Sequence, residues 1–120
     1  MFSTKPRGGL WASSIDASYD WKEWCDLNDY RHCTEENSFT FLLTSNARVL
    51  RINSVNDLEG LPEIHDELGL CPWKLLDFEK LSETYDAIEV SISSDPNLYW
   101  VLHGWDCDSI LVMNADTIIA

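Results

Sequence analysis

Basic residues are scarce in this chain. Eight Lys and Arg stand against 21 Asp and Glu in 120 residues, a formal charge of −13, and past Lys80 there is no Lys or Arg at all. A surface of that sign repels phosphate backbones, so direct nucleic-acid binding is not expected. Long apolar runs are missing too. None approaches the roughly 18 residues of a membrane span, and no basic start with an apolar stretch behind it suggests a secretion signal. The expectation is a soluble, cytoplasmic protein without a membrane partner. The four cysteines, Cys25, Cys33, Cys71 and Cys107, form no CxxC pair. They read as reduced and mostly buried thiols, and with no closely paired ligands no metal site is assigned. A phosphate-binding glycine loop, HExxH and GxSxG are all absent, which removes the common signatures of nucleotide triphosphate, zinc peptidase and α/β-hydrolase chemistry. Repeats, low-complexity segments and linkers are absent as well.

What is present is a core. Hydrophobic residues make up 45% of the chain and aromatics 12%, with six tryptophans. That composition folds, and at this length it supports one domain over residues 1–120. The chain is organised around Gly8 to Cys25, where a strand-like run, Leu10-Trp11-Ala12-Ser13, passes into Asp20-x-x-Glu23, the spacing of a helix-opening capping box. Trp21 and Trp24 then share a helical face, and Trp11 packs against them or against a ligand. The stretch is the floor of a site or the seam of a core.

Further along, residues 39–44 and 47–53 read as two strands joined by Ser45-Asn46 in a hairpin. Ser54-x-x-Asp57 caps a short helical turn stopped by Gly60 and Pro62, and residues 62–68 read as another short helix. Asp77 caps a helix over 78–85 with Phe78, Leu81 and Tyr85 as its apolar stripe. The period then changes to two: Ile88, Val90 and Ile92 share one face of a strand whose other side, Glu89 and Ser91, is wet. Asp95-Pro96-Asn97 is a turn, and residues 98–103 and 109–114 give two further strands. The sum is an α+β domain: a mostly antiparallel, twisted sheet of about five or six strands with three or four short helices.

Three segments carry a resemblance: Lys5 to Ser13, Asp77 to Ile88, and Gly104-Trp105-Asp106-Cys107-Asp108-Ser109. They look like a group of small bacteriophage proteins of unassigned function and, more loosely, like ADP-ribosyltransferase-like domains. The second likeness implies an NAD-dependent mono-ADP-ribosyltransferase that modifies a host protein. In it Arg7 would hold the cofactor diphosphate, Trp11 would stack on nicotinamide, Ser13 would orient it, and Asp108 would stand where the family has a catalytic Glu. The missing leading strand and the shorter Asp side chain depart from that pattern, and catalytic geometry is intolerant of shifts of about an ångström. A trimmed scaffold that binds without turning over is the favoured outcome.

The leading expectation is therefore a non-enzymatic, acidic binding protein of phage type, without cofactor. It engages and inhibits a basic host protein, possibly a nucleic-acid-binding machine, in the manner of a nucleic-acid mimic. Glu89, Asp95, Asp106 and Asp108 supply the charge, and Trp100 or Trp105 the aromatic anchor. The blander reading of the same residues is an acidic surface that keeps a small protein soluble, over an aromatic core.

Overall fold

The computed structural model describes residues 9–29, 36, 38–64, 75–102 and 105–119. Arg7, His32, Cys33, His65, Cys71, Trp73 and His103, and most of the helix expected over 62–68, lie outside the described residues.

Strand β1 (Leu10–Ala12) begins at Gly9, whose φ of +81° is open to glycine. A Cβ there would stand 2.7 Å from Leu111 Cδ1, so the residue also permits close approach to the strand beside it. Helix α1 (Trp21–Leu27) follows, its N-cap Asp20 accepting the Glu23 N–H at 2.9 Å as the capping spacing anticipates. Strands β2 (Leu42–Leu43) and β3 (Val49–Ile52) precede a 3-10 turn over Val55–Leu58, which ends at Gly60 with φ +79°. Residues 62–64 are extended rather than helical: Ile64 N–H donates to Leu75 O, and Glu63 bridges Leu76. Helix α2 (Phe78–Thr84) is capped by Asp77, which accepts from Lys80 N–H at 3.1 Å, and it buries Leu81 while Glu79, Lys80 and Glu83 face water.

Strand β4 (Ala87–Val90) is central, and it is covered on both sides: Ala87, Ile88 and Val90 are all fully buried, and even Glu89 is half-buried. The one-sided strand expected here is thus a middle strand. A 3-10 turn over Ile92–Ser94, helix α3 (Asn97–Val101), strand β5 (Ser109–Val112), a 3-10 turn over Ala115–Thr117 and strand β6 (Ile118–Ile119) complete the order. The main sheet runs β1-β5-β4-β3, with β1 and β4 antiparallel to β5 and β3 parallel to β4; β2 and β6 form a separate antiparallel pair. This is an α+β architecture whose sheets are mostly antiparallel.

Two expectations are corrected. Residues 39–44 and 47–53 do not form a hairpin with each other. A two-residue hairpin needs positive φ at the turn, and among the described residues Asp29 is the only non-glycine with it, so Ser45-Asn46 turns the chain away from β2 instead. β3 is then held beside β4 by Asp86, whose carboxylate accepts the Arg48 N–H at 2.8 Å while Arg48 O accepts from Asp86 and Ala87. Second, residues 98–101 are helical. Asp95 Oδ1 accepts the Asn97 N–H at 3.1 Å and Pro96 supplies a pre-set φ of −58°, so the turn starts a helix. Leu98 and Leu102, four apart, are then both buried, and that spacing outweighs the β-propensity of Tyr, Trp and Val.

Candidate functional site

Of the resemblance-derived residues, Trp11, Ser13 and Asp108 are described, and each is built into the fold. Ser13 Oγ donates to Asp108 O at 2.8 Å and accepts the Trp21 N–H at 2.9 Å, tying the end of β1 to the start of both β5 and α1. Asp108 is buried, and both of its carboxylate oxygens are engaged: Oδ1 accepts from Ser93 N–H at 2.8 Å, and Oδ2 from Ser93 Oγ at 2.6 Å and Tyr19 N–H at 3.1 Å. The Asp108 N–H donates in turn to Tyr19 O at 2.7 Å. A carboxylate satisfied by three donors is a staple between loop, 3-10 turn and strand, not a group held in reserve for an oxocarbenium ion. Trp11 packs edge-on against Trp105, centroids 4.7 Å apart, and against Trp21 at 6.3 Å, so its ring belongs to the aromatic seam. Of the two readings of the opening stretch, the geometry favours the core.

A cleft of about 180 Å³ does lie beside this staple, lined by Ser14, Asp16, Glu89, Ser91, Asp108 and Ser109. Neither Trp11 nor Ser13 lines it. Cys25 and Cys107 are buried, and among the described residues no group of three His, Cys, Asp or Glu side chains is arranged to hold a metal.

The residues expected to meet a partner divide sharply. Trp105 is corrected from surface anchor to core: it is fully buried, stacked on Phe78 at 6.2 Å as well as against Trp11. Asp108 is corrected likewise, from displayed charge to buried staple. Asp95 is half-buried and holds two amides, Val55 N–H at 3.0 Å on Oδ2 and Asn97 N–H on Oδ1. Glu89 lies 3.6 Å from Arg51, its register partner on β3. Asp106 is half-buried. Of these residues only Trp100 is in the exposed class, at 71%.

The position of Trp100 follows from the helix around it. Leu98 and Leu102 root α3 in the core, and the 3-10 turns at 55–58 and 92–94 pack beside it. The remaining face turns outward and presents Trp100 with Tyr99, rings edge-to-face at 5.2 Å. Sequence reasoning missed Tyr99 because a strand would place the two on opposite sides; the Leu98/Leu102 spacing behind an Asp-Pro-Asn cap is the signal that finds it. The surroundings are negative. Tyr19 has its pKa raised, first by burial and then by the nearby charges of Cys107, Glu23 and Asp106 together with Tyr99. The 3-10 turn adjoining α3 carries an exposed Asp57 with an exposed Glu59 just beyond it.

No protein-family model, no curated protein and no solved structure matches this chain. No helix among the described residues is long and apolar enough to cross a membrane.

Proposed function

We propose that this chain acts as a non-enzymatic binding protein that docks on a basic surface of another protein, with the Tyr99–Trp100 face of α3 as its anchor. The observation that carries the reading is a large, rigidly mounted aromatic pair left in solvent on a molecule of charge −13. Buried aromatic anchors supply most of the energy at protein interfaces, while complementary charge around them steers encounter and selects the partner. The bacteriophage-like motifs supply the context: the partner is a basic host protein in the cytoplasm whose groove ordinarily takes nucleic acid, and occupying that groove inhibits it. Nucleic acid itself is repelled. No cofactor enters this reading, because Trp11, Ser13 and Asp108 are already engaged with one another's elements.

The test is retention from a bacterial extract on the immobilised chain, compared with Trp100→Ala. A basic protein held at low salt, released toward about 0.5 M salt and bound at least about tenfold more weakly by the variant is the expected result. Retention that ignores salt, or that is the same for both chains, overturns the proposal.

A further inference from the structure

The segments that frame the outer face of α3 carry charge of one sign. Ser54 to Gly60 and Ser91 to Leu102 contain Asp57, Glu59 and Asp95 and no Lys or Arg. The fold holds them together: α3 packs on both neighbouring 3-10 turns, and Asp95 accepts from Val55 N–H at the start of one turn and from Asn97 N–H at the start of the helix. Asp57 and Glu59 are exposed, and the described Lys and Arg side chains in ion pairs serve Asp26, Asp86 and Glu89 instead. Out of this frame α3 projects two rings, Trp100 at 71% and Tyr99 at 40% exposure, set at 87° to each other with centroids 5.2 Å apart. The pair makes an open corner with two aromatic walls.

We propose that this corner takes an arginine side chain of the partner, its guanidinium lying flat on Trp100 within the negative field of Asp57 and Glu59. The inference rests on the basic-partner reading and names the group of that partner which the site reads. Three kinds of side chain could meet an exposed indole. An apolar one gains ring contact, but it takes water from the neighbouring carboxylates and returns no hydrogen bond, which is unfavourable. A lysine ammonium matches the charge, yet it is compact and strongly hydrated, and an open corner gives it little reason to shed that water. A guanidinium is planar and more weakly hydrated. It can lay one face on a ring while its five N–H donors spread in the plane toward carboxylates and solvent. Tryptophan offers the best ring for such a contact. A flat, open wall in a negative field therefore selects the flat cation. Arginine is also the residue that recognises phosphate by paired N–H groups, so a groove that ordinarily takes nucleic acid displays it.

Tetra-arginine and tetra-lysine peptides, capped at both ends, carry equal charge and so separate the guanidinium from charge alone. Each is titrated into the isotope-labelled full chain at about 20 mM salt, where exposed charges are little screened, and followed by NMR at the Trp100 indole N–H and the backbone N–H groups of Asn97 to Val101. Tetra-arginine is expected to move these signals and to bind at least about threefold more tightly than tetra-lysine. Trp100→Ala, at an exposed position outside the core, is expected to abolish the preference, so that the two peptides bind that chain alike; Trp100→Phe keeps a reduced preference. Equal affinities of the two peptides for the unmodified chain, α3 signals that respond to neither, or a preference that survives Trp100→Ala overturns the inference. Equal affinities would leave the basic-partner reading standing on charge alone, since that reading fails by a different result, retention from the extract that ignores salt or the loss of Trp100.

Discussion

Helix α1 and the residues after Lys80 are both acidic, but their carboxylates do different things. On α1 and just beyond it, Glu23, Asp26 and Asp29 are exposed, and the ion pair of Lys22 with Asp26 at 2.8 Å is itself open to water. After Lys80, Asp86 and Asp108 are buried, Asp95 holds two amides, Glu89 faces Arg51, and only Glu83 and Asp116 are exposed. The region with no basic residue of its own satisfies its carboxylates with N–H groups, its own at Ser93 and Asn97 and others from Tyr19 and Val55, and with Arg48 just before β3 and Arg51 within it. A count of formal charges along a sequence is therefore a poor map of surface potential, because a carboxylate is as useful inside a fold as a hydrogen-bond acceptor.

The contrast breaks most visibly at Asp108. Asp108→Ala leaves the N–H groups of Tyr19 and Ser93 without their acceptor, and a loss of about 3 kcal/mol in urea unfolding is expected. A loss below about 1 kcal/mol would return Asp108 to the class of displayed charges. Asp86 sharpens the comparison through pH. The Arg48 guanidinium and N–H, with Asn114 Nδ2, hold its carboxyl well below the usual carboxylate range. A depressed folded-state value contributes stability that is fully present above the unfolded value, about 4, and is lost as pH falls from there through the folded value. The stability gap between the wild type and Asp86→Asn is thus expected to be constant above about pH 5 and to close progressively below about pH 4. A gap that does not change with pH would contradict the assignment. The smallest effect belongs to α1: Asp26→Ala should change stability by no more than about 0.5 kcal/mol, since exposed pairs contribute little, and a larger loss would erase the distinction between the two regions.

Much of the fold is legible in the sequence where the signal is local. Asp20 and Asp77 announce their helices by capping chemistry, the Leu81 stripe marks the inner face of α2, the alternation around Ile88 gives β4, and the apolar run from Ile110 to Met113 gives β5. What is lost is long-range pairing. The partner of β3 is chosen by Asp86, 38 residues away from Arg48, and β6 is only two residues long, too short to leave a period. The candidate site was half legible. Trp100 is named by its residue type, but its outward aim depends on α3 being a helix, and Tyr-Trp-Val reads as strand by propensity while the buried Leu98/Leu102 spacing belongs to a helix. The burial of Trp105 has no local signal at all; it follows from Trp11 and Phe78 arriving from other parts of the chain.

The pairing of β1 with β5, Leu10 against Val112, has a consequence for how the molecule is made. The first strand cannot find its place until more than a hundred residues have left the ribosome, and β2 waits in the same way for Ile118 and Ile119. A nascent chain therefore carries its aromatic seam unsealed over that whole stretch, and closing the sheet is expected to be a slow, long-range step of folding.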